Sequence, residues 1–135
     1  MRVFADTSAL YSFLDADDAD HAAVVRAWDE LAEASAALVT TNYVMVETLV
    51  LLQSRLGLAA VRDFTQAVAP AFEVEWVTRE SHDLAIAAVL TANRRDLSVV
   101  DCVSFDTMRR RGLRHAFTLD AHFFEQGFER FPALV

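Results

Sequence analysis

Short apolar segments alternate with helix-patterned ones along the whole chain, and this alternation restricts the fold more than any other feature. Arg2–Ala5 reads as a first strand, followed by a short helix over Ser8–Leu14. The acidic loop Asp15–Asp20 leads into a helix over His21–Ala34. Ala36–Thr40 is a second strand, and Thr41 or Asn42 is placed to cap a helix over Tyr43–Leu56, which Gly57 breaks. A further helix covers Leu58–Val68 before Pro70. Phe72–Val77 alternates with period two, the pattern of a third strand. A helix over Glu80–Asn93 is followed by one over Val99–Arg111, capped by Ser98 and ended by Gly112. His115–Leu119 is a fourth strand, and "ERFPAL" adds a short edge strand, because Pro132 suits an edge better than a centre. Strands separated by helices build parallel sheets covered on both faces. The expected fold is therefore α/β, a three-layer α/β/α sandwich with a mainly parallel central sheet, in one domain over residues 1–135.

In such sheets ligands bind beyond the carboxyl ends of the strands, which directs attention to the acids found there. Asp6 ends the first strand and Asp120 the fourth. Glu47 sits in "NYVMVETLVLL", a helix apolar on nearly every side, and Asp101 begins the helix after "LSVV". Each has an ordinary alternative: Asp6 and Asp120 as helix caps, Glu47 as an exposed position, Asp101 as the acid of a capping box with Ser98. Together, though, all four can converge at one edge of the sheet. Burying ionised carboxylates costs heavily unless they are paired or bound to metal. The chain offers no lysine to pair with them; its twelve basic residues are all arginine, none within a helical turn of Glu47.

Four converging carboxylates repel one another, and one or two divalent cations would relieve that repulsion. All-oxygen ligands suit Mg²⁺ or Mn²⁺ rather than Zn²⁺. His21, His82, His115 and His122 are scattered, and His115 and His122 are expected in structural or surface roles. A carboxylate site with such ions performs phosphate chemistry without a histidine base or serine nucleophile. Thr7, Ser8 and Thr118 put hydroxyls beside the acids, as supports for a carboxylate or as plain caps and core groups. Asp106 lies about 140° round the helix from Asp101 and reads as a surface acid.

Composition removes other classes. A net charge of −8 argues against a general polyanion binder, yet six arginines fall between residues 94 and 114, enough for one basic face. Cys102 is the single cysteine, so no intrachain disulfide forms. No apolar run reaches the roughly 20 residues of a membrane span, and "MRVFAD" does not open a signal peptide; the expected setting is the cytoplasm, with no membrane partner. A hydrophobic fraction of 54 % exceeds the needs of one core and points to a homodimer.

The segments "FADTSAL", "TTNYVMVETLVLL", "LSVVDCVSFDTMRRRG" and "AFTLDAHF", in this order over nearly the whole chain, resemble the PIN-domain ribonucleases, especially the VapC-like toxins of bacterial toxin–antitoxin pairs. Asp6, Glu47, Asp101 and Asp120 fall on that family's four acidic positions, and Thr118 and Phe123 fit its final motif. The resemblance implies a parallel-sheet α/β/α fold and metal-dependent cleavage of RNA that leaves 5′-phosphate and 3′-hydroxyl ends. It also implies a homodimer and a cognate antitoxin that blocks the site. On this reading Arg109, Arg110 and Arg111 would grip RNA phosphates outside the metal site. The alternatives are a stand-alone PIN-like RNA-processing nuclease and a non-catalytic PIN-like binding module. Receiver-type and haloacid-dehalogenase-like phosphotransfer folds need a lysine that this chain lacks.

Overall fold

The computed structural model describes residues 1–133. Five strands form one wholly parallel sheet in the order β3-β2-β1-β4-β5, flanked by seven α-helices. β1 (Arg2–Ala5) lies at the centre, between β2 (Ala37–Thr41) and β4 (His115–Phe117). Val3, Phe4 and Ala5 are buried, as a strand covered by helices on both faces requires. β3 (Phe72–Glu75) and β5 (Glu129–Phe131) are the edges. The expected final strand therefore exists and lies at an edge; Leu134, in the same stretch, lies outside the described residues.

The helices are α1 (Thr7–Leu14), α2 (His21–Glu33), α3 (Asn42–Arg55), α4 (Leu58–Asp63), α5 (Arg79–Ala92), α6 (Val99–Arg111) and α7 (Ala121–Glu125). Local chemistry sets their ends. Thr41 caps α3 by accepting from Val44 N at 3.2 Å. Thr78 caps α5 and accepts from Ser81 N at 3.1 Å. α6 stops at Gly112, whose φ of 65° is the left-handed conformation that glycine adopts without a Cβ clash.

Three elements differ from the sequence expectation by more than one residue, the first being β4, which ends at Phe117 rather than Leu119. The helix expected over Leu58–Val68 is α-helical only to Asp63; Phe64–Val68 is a π-helical turn and Ala69–Ala71 a 3₁₀ turn. The wider turn is where the segment reaches the core: Phe64 and Val68 are buried, whereas α4 fully buries none of its residues. β3 ends at Glu75 rather than Val77, because its sole neighbour β2 ends opposite it, at the Thr41–Glu75 pair. Trp76, just beyond, is left 75 % exposed.

The core on one side of β1 and β4 is aromatic. Phe123 of α7 is fully buried and meets Phe105 edge-on at a ring separation of 4.9 Å, with Phe4 and Phe128 each at 6.4 Å. No helix among the described residues is long and apolar enough to cross a membrane.

Candidate metal centre

Parallel strands all point their carboxyl ends the same way, so α1 and α7, which follow β1 and β4, begin near one edge of the sheet; α6 follows α5 and leads into β4, and its start lies at the same edge, where Asp101 acts on Asp6. Their first residues carry the acids. Asp6 caps α1, Asp120 caps α7, and Asp101 belongs to the capping box of α6. Ser98 Oγ accepts from Asp101 N at 3.0 Å, and Asp101 Oδ2 accepts from Ser98 N at 3.1 Å. Capping and clustering are thus not alternatives here. The cap holds each carboxylate at a helix N-terminus, where the positive end of the helix dipole favours its charge.

Asp6 is the most enclosed acid, only 4 % exposed. Its backbone N–H continues the ladder to Phe117 O at 3.0 Å. Its Oδ2 accepts from Ser8 Oγ at 2.7 Å, from Thr118 Oγ1 at 2.9 Å and, at longer range, from Ser8 N at 3.4 Å. Those bonds leave Oδ1 outside the set. Burial pushes the Asp6 carboxyl up to about 6; the Ser8 and Thr118 hydroxyls oppose this, while Asp101 and Asp120 add like-charge repulsion. Ser8 and Thr118 also join the two loops. Ser8 Oγ accepts from Leu119 N at 2.9 Å, and Thr118 Oγ1 from Asp120 N at 3.0 Å. The Thr7 hydroxyl does not join this set; it reaches Val44 O at 3.4 Å and ties α1 to α3.

Asp101 and Asp120 come together with a residue that sequence reasoning assigned to a structural or surface role. One ligand atom from each of Asp101, Asp120 and His122 lies within 4.8 Å of the others. Burial raises the Asp101 carboxyl, the Ser98 bonds counter it, and Asp120 raises it further. His122 Nδ1 is 2.8 Å from Asp120 Oδ1, and Nε2 is 3.1 Å from Asp96 Oδ2. Burial works against a charged ring, but the Asp96 bond and the field of Asp120, Asp101 and Asp96 outweigh it and raise the His122 pKa. The signal was the Asp-x-His spacing at the start of a helix. The His122 backbone N donates to the capping Asp120 Oδ1 at 2.9 Å, which brings the ring back toward the cap.

Glu47 is half-buried on α3, one turn beyond the Val44 carbonyl that Thr7 reaches. Among the described residues it is not in the Asp101–Asp120–His122 group. The arginines lie elsewhere. Arg110 is roughly 14 Å along α6 from Asp101 by helical rise. Arg110 pairs with Glu75 at 2.8 Å and Asp106 at 2.9 Å, and Arg111 pairs with Glu73. Arg109 donates to Gln126 at 2.6 Å and lies over the Phe128 ring. Asp106 is a partly exposed ion-pair partner, as expected.

The donor set fits a divalent cation. It is anionic, largely oxygen, and partly withdrawn from water, and a buried ring nitrogen faces it without a hydrogen-bond partner. Asp6, Asp101 and Asp120 would supply carboxylates to the ion from this edge, with Glu47 at the margin.

Comparison with known proteins identifies the family and the fold. The PIN domain family matches residues 3–129. The 23S rRNA-specific endonuclease VapC20 of Mycobacterium tuberculosis is 33 % identical over 127 residues, covering 93 % of this chain and 95 % of the relative. The crystal structure of that protein, described as a Sarcin-Ricin loop cleaving toxin, superposes with a TM-score of 0.80 over 93 % of this chain and 95 % of the other. FitAcB from Neisseria gonorrhoeae, 16 % identical, covers 97 % of this chain and 96 % of its own with a TM-score of 0.68. PAE2754 from Pyrobaculum aerophilum, 19 % identical, covers 98 % and 90 % with a TM-score of 0.66. Those two likenesses concern the fold alone. By family match, near-full-length identity and sheet topology together, the chain belongs to the PIN-domain family and is a homologue of a VapC-type ribonuclease toxin.

Proposed function

We propose that this protein is a Mg²⁺- or Mn²⁺-dependent endoribonuclease, the toxin of a toxin–antitoxin pair. The observation that carries the reading is the meeting of Asp6, Asp101 and Asp120 at the carboxyl edge of the sheet, in a homologue of an rRNA endonuclease. When bound, one or two such ions supply positive charge to the scissile phosphate and activate water near neutral pH. Asp6, Asp101, Asp120 and Glu47 would hold the ions. Ser8 and Thr118 fix the Asp6 carboxylate, so that its geometry is set before substrate arrives. Water adds at phosphorus as the P–O3′ bond breaks, leaving a 3′-hydroxyl and a 5′-phosphate.

The substrate proposed is an rRNA loop like the one named for VapC20. An RNA hairpin of that loop should be cut with Mg²⁺ or Mn²⁺ present, and EDTA should stop the reaction. Absence of cleavage in either metal would reject the enzyme reading. Expression in bacteria should arrest growth, and the product of an adjacent small reading frame should relieve the arrest. Cleavage without arrest would favour a stand-alone RNA-processing nuclease.

Two further contacts belong to this reading. Arg109, Arg110 and Arg111 are proposed to contact RNA phosphates by exchanging their present partners. Because Arg110 and Arg111 already sit in ion pairs, replacing all three with Gln should lower the slope of log K against log salt by fewer than three phosphate contacts. An unchanged slope would discard them. A second copy is proposed to cover the outer face of α3, where Val46 and Val50 are each 58 % exposed beside Leu58 at 55 %. Sedimentation should show a dimer that Val46→Glu with Val50→Glu converts to monomer.

A further inference from the structure

We propose that His122 Nδ1 is a direct ligand of the divalent ion, so that the centre is a mixed carboxylate–imidazole site selective for Mn²⁺ over Mg²⁺; this rests on the metal-dependent reading above. The ring is held by a chain of contacts from the opposite side. Arg94 donates to Asp96 and to Glu125 of α7, both at 3.1 Å, which fastens the segment before α6 to α7. Asp96 Oδ2 in turn lies 3.1 Å from His122 Nε2. An ionised carboxylate can only accept, so Nε2 carries the proton of the neutral imidazole and Nδ1 presents a lone pair. A carboxylate behind the distal nitrogen of a ligating histidine is the usual arrangement of metal sites, because it fixes tautomer and ring orientation.

Nδ1 then faces Asp120 Oδ1 across 2.8 Å, and the pair does not have hydrogen-bond geometry; Nδ1 is buried without a hydrogen-bond partner. Oδ1 already accepts the backbone N–H of His122 at 2.9 Å. With the ring neutral, two lone-pair atoms at this separation, beside Asp101, repel one another unless a proton or a metal ion lies between them. Neighbouring ligands of an octahedral ion with bonds of about 2.1 Å are roughly 3 Å apart, so the spacing suits a shared ion. Imidazole nitrogen strengthens binding of later first-row ions relative to Mg²⁺, which prefers oxygen.

The test is Mn²⁺ binding to the intact protein, read by pulsed electron paramagnetic resonance and by titration calorimetry, with Mg²⁺ titrated in parallel. Bound Mn²⁺ should show strong ¹⁴N modulation that disappears in His122→Ala and in His122→Asn, two variants used so that one folding failure does not decide the matter. Mn²⁺ affinity should fall at least tenfold in both while Mg²⁺ affinity falls less, and Asp96→Asn should weaken Mn²⁺ binding roughly 10–100-fold. Mn²⁺ bound without ¹⁴N modulation, and lost in Asp120→Asn, would overturn the ligand role of His122 and leave the acidic centre standing. Failure of the wild-type protein to bind Mn²⁺ or Mg²⁺ would overturn both.

Discussion

Replacing Asp6 with Asn should make the metal-free protein more stable at pH 7.5 and at the same time abolish RNA cleavage. The stability half follows from burial. The Asp6 carboxyl is pushed up to about 6 in the folded chain, chiefly by desolvation. An unfolded aspartate titrates near 3.9. The folded state therefore holds this proton more tightly, so stability is greatest below pH 4 and falls as pH rises through the window from about 4 to 6. The full loss above that window is about 3 kcal/mol for a shift of roughly two pH units. Asn carries no charge and its side-chain oxygen can still accept from Ser8 and Thr118, so the variant escapes the loss. Denaturant unfolding should show a gain of about 1–3 kcal/mol at pH 7.5 that vanishes near pH 4.

The activity half follows from the same charge. Above about pH 6 Asp6 is ionised at a cost in stability that a bound cation would relieve, and loss of one such electrostatic contact costs on the order of 10²–10³-fold in rate. Saturating Mn²⁺ at about 100 times its dissociation constant should stabilise the wild-type protein by about 2.7 kcal/mol. Asp6→Asn should lose most of that increment. A folded variant with undiminished cleavage and an unchanged Mn²⁺ shift would remove Asp6 from the centre.

The same residue shows what could be read from the sequence. A strand that ends in an acid, followed by Thr7 and Ser8, identified both the sheet edge and the carboxylate, because caps and strand ends are local features. Ser98 and Gly112 bounded α6 for the same reason. Features set by neighbours were not legible. β3 stops where β2 gives it nothing further to pair with, and the helix after Gly57 changes pitch to bury Phe64 and Val68. The six arginines looked like one basic face because the sequence does not show that Glu73, Glu75, Asp96, Asp106 and Glu125 fold against three of them, Arg94, Arg110 and Arg111. His122 was taken as structural because its metal-centre partners are distant in sequence except for Asp120.

Phe123→Ala should be the most damaging single change in the core, and it should reach the metal centre without touching a ligand. Helix α7 spans only Ala121–Glu125, far below the roughly 12–15 residues at which an isolated helix becomes even marginal. It exists because Phe123 is buried against Phe4, Phe105 and Phe128. Emptying that position costs about 3–5 kcal/mol, a large share of the 5–15 kcal/mol typical of a folded domain. The same helix presents its cap Asp120 and His122 to the centre. Urea unfolding should therefore show the full destabilisation, and Mn²⁺ affinity should fall with it. Phe123→Leu, which keeps most of the volume, should retain most of both. The alternative is that polar contacts hold α7: Arg94 to Glu125 at 3.1 Å, and the Thr118 hydroxyl beneath the Asp120 backbone. A loss below about 1 kcal/mol with intact Mn²⁺ affinity would favour it, since that is the ordinary worth of an exposed ion pair. The aromatic cluster predicts the opposite, that the centre is only as ordered as the phenylalanine beneath it.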